Sequence, residues 1–301
     1  MATSVNDILP ARSKDALKRL ELLARKTVGG IMHGLHASRR LGVSVDFDHH
    51  KIYQPGDAVR HIDWRASAKH DRLYVKRHRE DTSLNVHLLL DFSASMMTDT
   101  GPDTKAAHAN LLAACLAYLI TNQNDRISLL AMCDGEILQR PLGSSGLHLV
   151  EILTVLISHE PQGKDDIVRH LNTLVSRNTA RGVVVFVSDL MYEPTAVQRE
   201  LAKLHHQGHE IVVINIRDRQ EEQFAFNQWI RFTDDEKQYA PAKVDTVLLG
   251  RLYVEEYRTL MAAWETWSKA QDVHFRPSYA HAGAEATLVD YINYRNRIRR
   301  H

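Results

Sequence analysis

Two stretches of consecutive apolar, mostly β-branched residues constrain the fold of this chain more than any other feature: Gly182-Val183-Val184-Val185-Phe186-Val187 and Glu210-Ile211-Val212-Val213-Ile214-Asn215-Ile216. Four to six apolar residues in a row, without alternation, suit strands buried on both faces, since a half-exposed strand shows a polar residue at every second position. Residues 86–90 and 126–132 repeat the pattern. Between these runs, helical spacing of apolar residues predicts helices over 104–122, 146–159, 167–177 and 195–206. Strand alternating with helix requires a parallel sheet with crossover helices on both faces, so the expected class is α/β, doubly wound and mostly parallel. Residues 135–141 are short enough to form an antiparallel edge hairpin. A polar segment over 217–245 precedes a long helix (249–270), a short strand (273–275) and a final helix (285–299).

The amino-terminal part reads differently. Residues 1–85 carry a charge balance of +6 and residues 86–301 one of −5, within a chain of net charge +1. That net charge gives no overall pull toward nucleic acid or an anionic membrane. Ala16, Leu17, Leu20, Leu23, Ala24 and Val28 recur at helical spacing and predict an amphipathic helix over 13–28, with Gly29-Gly30 as its stop. Pro55-Gly56-Asp57 reads as a turn. The expected organisation is an N-terminal helix and small irregular β-containing appendage over 1–82, then the main domain over 83–301. Hydrophobic residues at 44% and charged residues at 25% exclude disorder as the main state. Two cysteines cannot make a disulfide framework, the start lacks the order of a signal peptide, and the apolar run 111–120 is about half a bilayer span, so a cytoplasmic protein is expected.

In an open doubly wound sheet, ligands bind beyond the carboxyl ends of the strands, where strand order reverses. The polar residues just after the apolar runs are therefore the candidates. Asp91-Phe92-Ser93-Ala94-Ser95-Met96 follows the first run and Asp189 follows 182–187. A small hard cation takes oxygen ligands and keeps several waters, so one or two carboxylates with hydroxyls can hold it. Asp91, Ser93 and Ser95 offer that chemistry, with Asp189 on a neighbouring strand. Asp followed by Ser is also an ordinary helix cap, and both readings stand at this point.

These two loops resemble the metal-ion-dependent adhesion site of von Willebrand factor A domains. Upstream, Tyr53-Gln54-Pro55-Gly56-Asp57-Ala58-Val59-Arg60-His61-Ile62-Asp63-Trp64-Arg65-Ala66-Ser67-Ala68, followed by Leu73-Tyr74-Val75-Lys76, resembles the signature of the bacterial domain-of-unknown-function 58 family. The resemblance implies a doubly wound, Rossmann-like von Willebrand A domain with a divalent-cation site (Mg²⁺, or Mn²⁺ or Ca²⁺), no established catalytic activity, and association with MoxR-type AAA+ ATPases. It places Asp91, Ser93 and Ser95 in the first metal loop and Asp189 in the last. The middle loop departs from the family pattern: Gly163-Lys164-Asp165-Asp166-Ile167 puts Asp165 where a threonine hydroxyl is expected. A carboxylate there would bind the cation directly and neutralise it, or Lys164 would weaken cation binding.

Other clusters have plainer readings beside functional ones. Arg60, Asp63, Trp64 and Arg65 form either a partner-docking surface or a structural network of charges within an irregular segment. His205-His206-x-x-His209 suits a helix C-terminus better than zinc, and His49-His50 alone is too few donors. Lys18, Arg19, Arg25 and Lys26 with Arg39-Arg40 could touch phosphates, but Asp15 and Glu21 dilute them. Cys115 reads as a small core residue and Cys133 as a strand-end one. No nucleophile elbow, phosphate-binding P-loop, His-Glu-x-x-His or dinucleotide loop is present. The expected function is a non-enzymatic, metal-dependent protein-interaction or adaptor subunit, partnering a MoxR-type AAA+ ATPase. The alternatives are a metal-dependent hydrolase built on Asp91, Asp165 and Asp189, and a weak nucleic-acid binder through the basic N-terminal segment.

Overall fold

The computed structural model describes residues 11–41, 51–52, 67, 73–75, 83–97, 104–133, 136–162, 167–177, 179–223, 230–232, 242–244 and 246–298. The chain divides into two compact units, Met32–Ser83 and the remainder. Within the smaller unit, β1 (Lys51–Ile52) pairs antiparallel with β2 (Tyr74–Val75). The candidate docking residues Arg60, Asp63, Trp64 and Arg65, and His49-His50, lie outside the described residues.

The first described helix, α1 (Ala11–Leu41), does not stop where expected. Gly29-Gly30 is crossed without interruption. Each glycine disfavours helix by about 1 kcal/mol relative to alanine, but Leu17, Ala24, Val28 and Ile31 form one buried stripe that continues past the pair. A Cβ at either glycine would meet nothing within 4 Å, so neither serves close packing. The face bearing Lys18, Arg19, Arg25 and Lys26 is exposed.

The larger unit is organised by a six-stranded sheet. Its strands are β3 (Asn85–Asp91), β4 (Arg126–Cys133), β5 (Glu136–Gly143), β6 (Val183–Ser188), β7 (Glu210–Arg217) and β10 (His274–Tyr279), in the order β10-β7-β6-β3-β4-β5. All pairings are parallel except the β4–β5 edge hairpin. The chain works outward from β3 to β4 and β5, then returns to place β6 against the other side of β3. The order along the sheet thus reverses between β3 and β6, the switch point that doubly wound folds use for ligands. A separate small pair, β8 (Ile230–Phe232) with β9 (Ala242–Val244), lies within the segment read as polar.

The crossover helices are α2 (Lys105–Asn122), α3 (Gly146–Ser158), α4 (Ile167–Ser176) and α5 (Pro194–His206), each within a residue or two of its expected bounds. A short α6 (Arg219–Gln223) follows β7, and α7 (Thr246–Ala270) and α8 (Glu285–Ile298) flank β10. On one sheet face, Leu89, Val184, Phe186, Ile211 and Val213 pack with residues of α4, α5 and α7, including Leu171, Leu201 and Trp264. The opposite face is covered by α2, α3 and α8. The central strands are buried on both faces, as uninterrupted apolar runs require. The strand expected over 273–275 runs to Tyr279, because Pro277 sits on an edge strand where its missing N–H leaves no interior ladder bond unmade.

The chain's apolar stretch 111–120 lies in α2, buried within this unit. Among the described residues, no helix is long and apolar enough to cross a membrane. His205 and His206 occupy the last turn of α5, with His205 Nδ1 hydrogen-bonded to the His209 carbonyl at 3.1 Å. The capping role fits this position. Both cysteines are buried thiols.

Candidate functional site

Parallel strands deliver the polar residues at their carboxyl ends to one rim of the sheet. Asp91 closes β3 and is fully buried; Asp189 follows β6 directly and is 2% exposed. Since β3 and β6 are adjacent and in parallel register, Leu90 opposite Val187, the two carboxylates meet at the switch point. The fold thus brings Asp91, Ser93, Ser95 and Asp189, from turns distant in the chain, to one place. Asp165 and Lys164 lie outside the described residues. Gln162, the last described residue before them, donates its N–H to the Phe92 carbonyl at 2.9 Å.

The Asp91 turn is self-bracing. Asp91 Oδ1 accepts the Ser93 N–H at 2.9 Å, and the Ser93 and Ser95 hydroxyls are 3.0 Å apart. Alternate positions of a tight turn thus bring two hydroxyls to one point beside the carboxylate. From the other loop, Ser188 Oγ donates to Asp91 Oδ2 at 2.7 Å and accepts the Leu190 N–H at 2.9 Å. Because the single Ser188 hydroxyl proton is committed to Asp91, the Tyr192 hydroxyl 2.8 Å away must be the donor to Ser188. The result is a relay from Tyr192 through Ser188 to Asp91.

The Asp189 loop carries backbone strain. Leu190, fully buried, has φ of 61°, a left-handed value that a branched residue adopts at a cost of about 1–3 kcal/mol. The conformation is held by the Leu190 bond to Ser188, by the Met191 N–H on Asp189 Oδ1 at 3.2 Å, and by Asn215 Nδ2 on the Asp189 carbonyl at 3.0 Å. Arg217 in turn fixes Asn215 through its Oδ1 and pairs with Glu222 at 3.2 Å. Three adjacent strands therefore contribute to one polar rim.

Sequence reasoning missed Lys105, which the structure places at the centre of the charge balance. It opens α2 with its side chain 1% exposed, 2.7 Å from Asp189 Oδ2 and 2.6 Å from Glu221 Oε1. A cation in the first turn of a helix opposes the helix dipole, and a lysine at the head of an otherwise apolar helix needs anionic partners. That conflict was the available signal. The partners lie in distant loops and could not be named from it. Burial by itself lowers the Lys105 ammonium's affinity for its proton; Asp189 and Glu221 outweigh burial and raise it.

Asp91 has no such relief. Burial, and then the Asp189 charge, push its carboxyl up to about 6 against the Ser188 and Ser93 hydrogen bonds that lower it. Among the described residues no lysine, arginine or histidine pairs with it. Tyr192 is raised by burial and by the Asp91 charge, so it remains a protonated donor. A buried carboxylate with no cationic partner among the described residues, next to two hydroxyls, is a donor set that fits a hard divalent ion. Among the described residues, no three His, Cys, Asp or Glu side chains group to hold a metal.

Sheet order, the antiparallel edge strand β5 and the two loops at the carboxyl ends of β3 and β6 together define a doubly wound, mostly parallel α/β domain. The chain belongs to the family described as protein of unknown function DUF58, whose model matches residues 49–259. It is 27% identical over 216 residues, covering 70% of this chain and 67% of the relative, to uncharacterized proteins of Mycobacterium bovis and of Mycobacterium tuberculosis H37Rv. Among solved structures it is similar to BatB from Bacteroides thetaiotaomicron, at 14% identity and a TM-score of 0.47, over 71% of this chain and all of that one. It is similar also to the SpRpn10 VWA domain, at 11% identity and a TM-score of 0.41, over 69% of this chain and 95% of the other.

Proposed function

We propose that this protein is a non-enzymatic interaction subunit that binds a divalent cation, Mg²⁺ or Mn²⁺, at Asp91, Ser93 and Ser95, and through it an acidic group of a partner protein. The partner on this reading is a MoxR-type AAA+ ATPase. The observation that carries the reading is the buried Asp91 carboxylate, without a cationic partner among the described residues, lying at the switch point beside two hydroxyls 3.0 Å apart. Few protein carboxylates and several neutral oxygens leave a bound cation electron-poor, and an incoming carboxylate completes its shell. Asp189, held by Lys105 and the Met191 N–H, would act on metal-bound water rather than on the ion. The hydrolase alternative needed Asp165, which lies outside the described residues, and no observation favours it. The exposed basic face of α1 remains too modest in charge to favour nucleic acid.

The test is co-purification of the tagged full chain with a MoxR-type ATPase, in Mg²⁺ and in EDTA. Capture in Mg²⁺ that falls with EDTA and with Ser93→Ala supports the reading. Capture unaffected by both removes the metal from it, and absence of capture in every condition removes the partner.

A further inference from the structure

The rim contains two carboxylates that the fold treats differently. Asp189 has a buried ammonium on Oδ2, shared with Glu221, whereas Asp91 has only neutral donors among the described residues. Lys105 is anchored by being the first residue of α2, capped by Thr104, whose hydroxyl accepts the Ala107 N–H at 3.1 Å. Its ammonium is therefore positioned by a rigid element rather than by a mobile tip. Both contacts, 2.7 and 2.6 Å, are the short distances of charge-assisted hydrogen bonds. Glu221, 14% exposed at the rim, closes the other side of the ammonium.

We propose that Lys105 is a built-in cation of this site: it takes Asp189 out of competition for the divalent ion, sets the charge that the ion meets, and so fixes cation affinity at the low end. This rests on the metal-site reading above, with Asp91, Ser93 and Ser95 as the contacting ligands. A fixed positive charge inside a poorly solvated rim repels a divalent ion strongly, since Coulomb interactions there are screened far less than in water. Removing that charge both ends the repulsion and frees Asp189. Removing Glu221 has the opposite sign, because it strips a compensating negative charge and leaves the ammonium whole. A merely structural ion triad gives no such opposition; either substitution would then disturb the rim in the same direction.

The experiment is Mn²⁺ binding to the full chain, read by the loss of the free-ion electron paramagnetic resonance signal, for the parent, Lys105→Met and Glu221→Gln. Far-ultraviolet circular dichroism establishes that each variant is folded. The expected result is a Kd at least about tenfold tighter for Lys105→Met and several-fold weaker for Glu221→Gln. Tight binding by Lys105→Met with none detectable in the parent supports the role of Lys105 while removing the resident metal from the proposed function. Equal affinities in all three, or shifts in the same direction, overturn the role of Lys105 and leave the metal site standing. Absence of binding in all three overturns both. Should Lys105→Met not fold, Glu221→Gln decides alone: unchanged or tighter binding overturns the proposal.

Discussion

Replacing Asp91 by asparagine should make the metal-free protein more stable at neutral and alkaline pH. The fold holds this carboxyl at about 6, against 3.8 for an aspartate in the unfolded chain, so its ionisation is more favourable when unfolded. A group raised in this way favours the fold below its unfolded value, and that contribution is lost as pH climbs from about 4 to 6. The gap corresponds to about 3 kcal/mol of lost stability at pH 8. The asparagine side chain is isosteric and uncharged, but it keeps only one acceptor oxygen for the Ser93 N–H and the Ser188 hydroxyl, which gives back roughly 1 kcal/mol. The net gain is about 2 kcal/mol, or roughly 4–8 °C in Tm. At pH 4 the carboxyl is neutral in the fold, and Asp91→Asn and the parent should lie within about 1 kcal/mol of each other. Thermal unfolding in EDTA at both pH values checks this. A variant as destabilised at pH 8 as at pH 4 would refute the view that Asp91 is a buried charge awaiting a cation. A stabilising change at a residue of the proposed cation site is the expected trade if the site is organised for a ligand rather than for the fold.

Three further predictions concern the scaffold. A Cβ at Gly182 would fall 2.1 Å from the Asn85 carbonyl oxygen, so Gly182→Ala should destabilise by about 1–3 kcal/mol, seen as a lower urea midpoint; an unchanged midpoint contradicts the close approach of β6 to β3. At the opposite end of the sheet Arg295 pairs with buried Asp125 at 2.7 Å, while Asp125 Oδ1 accepts the Leu84 N–H. Arg295→Ala removes the ion-pair partner of that buried carboxylate and should lower stability by about 3–5 kcal/mol in denaturant titration. Burial, with the Glu285 charge adding to it, pushes the Cys115 thiol up to about 12, so it should resist iodoacetamide at pH 8 until the protein is unfolded. Rapid labelling of native protein at Cys115 would contradict its packing.

What the sequence conveyed about fold was carried by uniformly apolar strands. Residues 183–188 and 210–217 have one physical solution, burial on both faces, and parallel strands then bring their carboxyl ends to one rim. That chain of reasoning placed Asp91, Ser93, Ser95 and Asp189 together without coordinates. It failed where a local preference met a stronger tertiary one: the Gly29-Gly30 pair lost to the buried stripe of α1, and the strand ending at Phe275 by apolar pattern continued through Arg276 and Pro277 because it lies on a sheet edge. Lys105 escaped for a different reason. Its partners are 84 residues away, at Asp189, and farther on at Glu221, and spacing rules reach only across single elements. Tyr192 and Ser188 were likewise ordinary residues in sequence, and became a relay only when β6 delivered them to the Asp91 turn.

The most direct measurement is calorimetric titration of the full chain with Mg²⁺ and Mn²⁺, for the parent and for Asp91→Ala. Saturable one-site heat in the parent that disappears in the variant is the predicted result. Equal heats from both proteins would contradict a cation site at the carboxyl end of β3.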